Sequence, residues 1–174
     1  MPTYAALLRA VNVKALNHRE RPTAESIRAI QLAAYSQEAK LLGVADFPPL
    51  RRSVDDLQAS FEQFFGAYLG KALIGVVAIE STDTPDQLCI SSLVVAPAAQ
   101  RSGVGTALLR ELLRRFPTQT FVVSTGVANV PALALYERFG FVELSRRFVG
   151  TLELVQLCRP QRSLRARLPA SPSC

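Results

Sequence analysis

The chain has 174 residues, of which 49% are hydrophobic and 20% charged, with three cysteines, one histidine and a net charge of +6. That is enough chain for one domain with its own core; it excludes general disorder, and no apolar run reaches the ~20 residues of a membrane-spanning helix. Residues 159–174 hold Arg159, Arg162, Arg165 and Arg167 and no acid, so two thirds of the net charge lies in one terminal stretch and argues against a nucleic-acid-binding face.

Residues 1–19 read as an N-terminal extension or an extra strand, without the small-residue cleavage site of a secretory signal. Thr23, after Pro22, is expected to cap a first helix, with Ile27, Ile30 and Ala34 on its apolar face and Gly43 at its end. Residues 47–49, Phe-Pro-Pro, form a rigid loop. Ser53, with Asp56 three residues on, caps a second helix whose stripe is Val54, Leu57, Phe61 and Phe64 or Phe65. The period then changes. Residues 65–69 and 72–80 are strand-like and flank Gly70-Lys71, a hairpin turn. A strand at 88–95, a helix at 103–115, a strand at 120–125 and a short helix at 130–139 follow. Residues 141–147 and 151–157 close the domain as a hairpin, and the Arg, Ser and Pro of 159–174 read as a basic flexible tail. This order indicates one mixed α/β (α+β) domain.

The most informative stretch runs from Leu93 to Ala107. A strand enters a turn with Gly103 and Gly105, and the turn opens an amphipathic helix. Free N–H groups and the positive dipole end at such a helix start suit a phosphate, Arg101 adds a full charge, and the Thr106 hydroxyl is a further donor. Two other phosphate motifs fit worse. No lysine is available for a Walker loop, and Leu108 stands where a Rossmann fingerprint needs a third glycine. The competing reading is a glycine-rich helix start that merely permits tight packing.

Downstream, Asn129, Ala132, Leu135, Tyr136, Gly140 and Phe141 fall in the pattern Asn-x-x-Ala-x-x-Leu-Tyr-x-x-x-Gly-Phe. With Gln100, Gly103 and Gly105 in the turn, the chain resembles the GNAT superfamily of acetyl-CoA-dependent N-acetyltransferases over about residues 20–158. The resemblance implies a single-domain GNAT-like fold, with a mixed central sheet splayed between two parallel strands and flanked by helices. It implies acetyl-CoA as acyl donor and no metal. The pantetheine arm would pair with backbone groups such as those of Leu93 and Val95. Its pyrophosphate would rest on the turn of Gln100, Arg101, Ser102, Gly103, Val104, Gly105 and Thr106, and Asn129 would meet the arm from the other side. Tyr136 is the expected proton donor to the leaving thiolate, against a competing role as a packing residue.

Relatives place a glutamate on the strand before the turn, but residues 89–93 contain no carboxylate. Glu80 is the leading candidate base, with Asp83, Asp86 or a water held by Ser91 or Ser92 as alternatives. The acceptor region implied by the fold holds Tyr35, Glu38, Asp46, Phe47, Arg146, Arg147 and Phe148. Tyr35, Phe47 and Arg147 are the candidate substrate-binding residues, and such a set suits an amine that also carries a carboxylate. Both arginines fit plain hairpin surface as well. The expected function is transfer of an acetyl group from acetyl-CoA to a primary amine of a small molecule or peptide, by direct attack in a ternary complex. The alternative is a non-catalytic acyl-CoA sensor or interaction module on the same fold. The odd cysteine count suits the cytoplasm, no membrane is implicated, and a homodimer is compatible with the sequence, residues 1–15 offering a dimer arm or an added strand.

Overall fold

The computed structural model describes residues 11–161; the expected tail beyond Gln161 and the first ten residues lie outside the described residues. Seven strands form one sheet: β1 (Val11–Leu16), β2 (Gln63–Leu69), β3 (Ala72–Ser81), β4 (Gln87–Val95), β5 (Thr120–Gly126), β6 (Val142–Val149) and β7 (Leu152–Arg159). Their order is β1-β2-β3-β4-β5-β7-β6, and β4 with β5 is the parallel pair. Helices α1 (Arg21–Leu42) and α2 (Val54–Ala59) cover one face, while α3 (Val104–Arg115) and α4 (Val130–Arg138) cover the other. The fold class is therefore the expected mixed sheet flanked by helices. Residues 11–16, inside the stretch read as an extension or extra strand, pair with β2 from Val11↔Leu69 to Leu16↔Phe64.

Two local expectations are corrected. Helix α1 starts at Arg21 with Glu20 as its N-cap, so Thr23 lies inside the first turn and caps nothing. Pro22 explains the early start, because its missing N–H falls where no intrahelical bond is needed. The other end is as expected: Gly43 takes a left-handed φ of 67° and Val44 N–H reaches back to Ala39 O at 3.0 Å. Helix α2 has the expected capping box, with Ser53 Oγ accepting from Asp56 N–H and Asp56 Oδ2 accepting from Ser53 N–H. It ends at Ala59, however, and its supposed stripe breaks up. Phe61 is 94% exposed, while Phe64 and Phe65 enter β2 and bury on opposite faces of the sheet. A period of two over strand-forming aromatics outweighed the helical spacing that an eye counting fours finds there.

The sheet's central irregularity positions everything that follows. Between β3 and β4 the register steps from Ala78↔Ser92 to Ile79↔Ile90, leaving Ser91 as an extra residue on β4. Such a bulge reverses which side chains face which way beyond it. Leu88 and Ile90 accordingly join the core under α3, whereas Val94 joins the core under α1 and α2. Just there the parallel pairing of β4 with β5 stops, running only from Gln87↔Thr120 to Ile90↔Val123. Beyond that point β5 continues along β7, as far as Gly126↔Leu154. Residues 91–95 are thus left with no strand on that edge.

Helix α3 crosses back over the sheet as the connection between the two parallel strands, with Val104, Leu108, Leu109 and Leu112 buried. It approaches β3 so closely at Gly75 that a Cβ there would lie 2.8 Å from Val104 Cγ1 and 3.2 Å from Val94 O. Neither the stiff β-branched side chain nor the backbone carbonyl can yield cheaply. Gly75→Ala should therefore destabilise the fold by about 1–3 kcal/mol, the usual cost of overpacking, read as a lowered urea midpoint with an unchanged m-value.

Candidate active site

The site is built around the gap between β4 and β5. At its top, β4 ends in a turn whose φ signs alternate: Gln100 is at −66°, Arg101 at +59°, Ser102 negative again and Gly103 at +85°. Alternation of this kind swings successive N–H groups towards one side and makes an anion-binding concavity. Arg101 holds a left-handed conformation that costs a non-glycine residue about 1 kcal/mol, a strain typical of functional turns. The first intrahelical bond of α3 runs from Ala107 N–H to Gly103 O at 2.9 Å, so the N–H groups of Val104, Gly105 and Thr106 have no partner within the helix. Arg101 is exposed and has no ion-pair partner among the described residues. Ser102 Oγ donates to Ala99 O, which braces the turn from below.

The two glycines of the turn do different work. Gly103 supplies the positive φ. Gly105 allows close packing: a Cβ on it would meet Leu135 Cδ2 of α4 at 3.2 Å and Leu93 Cδ2 of β4 at 3.7 Å. The packing reading thus holds for Gly105 and the conformational one for Gly103. Thr106 is buried, so its hydroxyl is not presented at the surface of the turn as the sequence suggested. Gln100 Nε2 donates to Val95 O at 3.3 Å and to Gln37 Oε1 of α1 at 2.8 Å, tying the end of β4 to the opposite helix.

Tyr136 is 4% exposed, its ring tilted against Phe141 at 5.2 Å. Burial first, then the charges of Glu38, Tyr35 and Cys89, push its phenol well above the ordinary value. Those neighbours come from α1 and β4. Tyr35 hydrogen-bonds Ser92 Oγ at 2.7 Å and meets Phe47 edge-on at 5.8 Å; burial pushes its phenol up to about 12, against the opposing Ser92 bond. Asn129 caps α4, its Oδ1 accepting from Ala132 N–H at 3.3 Å, and its Nδ2 donates to Glu38 Oε1 at 3.0 Å.

A cleft of about 510 Å³ opens beside this cluster, between the loop after α1 and the β6–β7 turn, and reaches Ser124, Thr125 and Gly126 where β5 has left β4. Phe47, Pro48, Leu152 and Leu154 give it an apolar lining, and its charged lining residues are Glu38 and Asp46. Asp46 is paired with Arg51. Of the expected substrate-binding residues, Phe47 lines the cleft and Tyr35 packs against Phe47. Arg147 is exposed on β6 and does not line it. Arg146 is taken by Glu143 and Glu153 on the hairpin surface. The hairpin instead offers Val149, Gly150, Leu152 and Leu154 to the cleft.

Glu80 is exposed on β3, the cross-strand partner of Cys89, and does not line the cleft. A carboxylate that sequence reasoning missed stands closer to the bulge. Glu62, at 8% exposure, accepts from Ser91 Oγ on one oxygen and from Arg52 on the other. Burial opposes its ionisation, but Arg52 and Ser91 outweigh it and hold the carboxyl below its usual range. No local pattern marks Glu62, because its partners come from a loop ten residues back and a strand that folds beside it much later. Gln31 is equally hidden in the sequence: it is 1% exposed, Nε2 donates to Ser92 Oγ at 3.4 Å, and Oε1 has no hydrogen-bond partner among the described residues.

Comparison with known proteins agrees with this geometry. A family model described as "Acetyltransferase (GNAT) family" matches residues 25–141. YqkA of Bacillus subtilis, called a UPF0157 protein, is 36% identical over 130 residues, which is 74% of this chain and 37% of YqkA. The N-alpha-acetyltransferase RimI of Mycobacterium tuberculosis is 33% identical over 97 residues, 53% of this chain and 61% of RimI. The chain thus spans less than two thirds of either relative. Among solved structures, the PaiA N-acetyltransferase of Thermoplasma acidophilum in complex with coenzyme A shares the fold at a TM-score of 0.68 and 13% identity, covering 84% of this chain and 97% of PaiA.

The Glu62 environment has a consequence for stability. Its carboxyl pKa is lower folded than the ordinary 4.5, so the stabilisation it gives is complete above that value and is lost as pH falls through the folded pKa. Glu62→Gln leaves Arg52 facing no charge and should cost about 1–3 kcal/mol at pH 7, discounted from a fully buried pair because Arg52 is partly exposed. The difference from wild type should vanish towards acid pH in urea titrations.

Proposed function

The chain belongs to the acetyltransferase (GNAT) family, and from that premise we propose that it transfers an acetyl group from acetyl-CoA to a primary amine by direct attack in a ternary complex. The observation that carries this reading is the parting of β4 from β5 beyond Ile90↔Val123, with the N–H-rich turn at one end of the gap and Tyr136 buried in the core that Ile90 and Val123 share. The free edge of residues 91–95 offers the amides and carbonyls of Leu93 and Val95 to the pantetheine arm. The N–H groups of Gly103 to Thr106, with the helix dipole and Arg101, suit the pyrophosphate, and Gln100 and Ser102 hold the turn in shape.

The cosubstrate supplies a thioester, and the chain's task is to position it against the amine and manage two protons. Backbone N–H groups near Val95 polarise the carbonyl and stabilise its developing oxyanion. Tyr136, kept protonated by burial and the neighbouring Glu38 carboxylate, donates to the leaving sulfur. Asn129 acts from the far side of the gap by fixing Glu38 and the start of α4. The acceptor enters through the cleft between the loop after α1 and the β6–β7 turn, with Tyr35 and Phe47 at its edge. Glu80 does not line that cleft and would reach the amine only through intervening water. The sensor alternative rested on the lack of a carboxylate in β4. Glu38, which lines the cleft from another element, supports the transferase reading instead. We place the protein in the cytoplasm, where Cys89 and Cys158, free thiols here, persist unpaired. Among the described residues no helix is long and apolar enough to cross a membrane.

Incubation with acetyl-CoA and an amine panel should release free thiol and yield acetylated amine of matching mass; thiol release that ignores the amine would reduce the activity to hydrolysis. Tyr136→Phe should lower kcat by about 100-fold or more while leaving coenzyme A affinity unchanged. Arg101→Ala should weaken acetyl-CoA binding by about 10-fold, the worth of one charge-assisted phosphate contact, with a reduced dependence of affinity on salt.

A further inference from the structure

We infer that Glu38 is the group that receives the acceptor's ammonium and takes its proton, and that the acceptor is a primary amine with an uncharged, apolar substituent. This rests on the transferase reading above and names the acceptor class and the base of the same site. Asp83 and Asp86 are exposed in the loop after β3 and outside the cleft, and the surroundings of four other carboxylates separate them. Glu62 is spent on Arg52 and Ser91. Asp46 is spent on Arg51. Glu80 is exposed on β3 and outside the cleft. Glu38 lines the cleft, meets no cation among the described residues, and has Asn129 as its hydrogen-bond partner.

Position and field point the same way. Glu38 raises the phenols of both Tyr35 and Tyr136, so the carboxylate stands within electrostatic reach of the proposed acid. Burial raises its own carboxyl, against the opposing Asn129 bond, which makes it a better proton acceptor near neutral pH than an exposed glutamate. The titratable groups about it are Tyr35 on its own helix, Tyr136 on α4, and the Asp46–Arg51 pair across the cleft. A half-buried carboxylate with no counter-cation calls for a cationic ligand. Phe47, Pro48, Leu152 and Leu154 call for apolar bulk behind the amine, and Arg147, the residue that would have favoured a second carboxylate on the acceptor, lies outside the cleft.

The protons balance. Glu38 removes one from the ammonium, freeing the nitrogen lone pair. Nitrogen bonds to the thioester carbonyl carbon, the C–S bond breaks with its electron pair on sulfur, and Tyr136 protonates that sulfur. The second amine proton restores the Tyr136 phenol, the amide keeps the third, and Glu38 returns the first to water.

The experiment compares Glu38→Gln with wild type on two acceptors: an alkylamine, fully protonated at pH 7, and a trifluoroethylamine-type amine that is neutral there. The glutamine keeps an acceptor oxygen for Asn129. For the alkylamine, kcat/KM should fall about 100-fold at pH 7, and the acidic limb of the pH profile that reports Glu38 should disappear. The loss should shrink to a few-fold for the neutral amine. Calorimetry on the coenzyme A-loaded protein should show weakened alkylamine binding at unchanged coenzyme A affinity. Glu38→Asp, which retains the charge, should keep the acidic limb with a smaller loss, and stands in if the glutamine variant does not fold. On the wild-type chain, an alkylamine should exceed its carboxylated analogue in kcat/KM by at least 10-fold. An unaltered pH profile in Glu38→Gln, equal losses on both acceptors, or preference for the carboxylated amine overturns this inference alone. Absence of amine-dependent thiol release by the wild type overturns the transferase reading with it.

Discussion

Strand β4 carries one residue more than its partner β3 can pair, at Ser91, and the parallel contact with β5 ends at the residue before it. An extra residue in an antiparallel ladder bends and twists the strand. Here the bend leaves the backbone of residues 91–95 without a neighbour on one edge. An unpaired strand edge inside a sheet is costly unless solvent or a ligand satisfies its amides and carbonyls. The features from which the proposed function is argued surround that opening: the N–H-rich turn that ends β4, the buried tyrosine of α4, and the cleft beyond β5.

The same bulge decides which chemistry reaches the gap. It turns Ser92 towards α1, where Tyr35 and Gln31 meet it, and presents Ser91 to Glu62. Polar side chains from α1 and from the segment before β2 therefore gather beneath a strand that has no carboxylate of its own. Asn129 couples the far side to this cluster, because one amide both caps α4 and binds Glu38. Glu38 and the helix that carries Tyr136, on different faces of the sheet, meet at opposite ends of that connection.

Legibility differed by the range of the interactions involved. Helix α2's capping box, the β2–β3 turn at Gly70 and the glycine stop of α1 were readable, because each is settled by residues a few positions apart. The glycine turn before α3 was readable for the same reason, and its conformation added the positive φ of Arg101, which no sequence rule asks of an arginine. The reading failed where a longer-range pairing overrode local spacing. Phe64 and Phe65 looked like helix positions until β1 and β3 claimed them as a strand. Arg147 looked like a cleft residue, but although it pairs with Leu154 it stands exposed on β6 and does not line the cleft.

The sequence by itself determined the class of fold, the family, the turn that suits a pyrophosphate and the tyrosine beside the gap. All of these rest on short motifs whose residues act within one turn or one helix. Only the tertiary structure decided which carboxylates stand at the gap, and in what state. Burial and counter-charges come from residues distant in the chain: Arg52 and Ser91 around Glu62, Asn129 around Glu38. An acid's readiness to take a proton is set by that three-dimensional surrounding, and a linear sequence does not contain it in any local pattern.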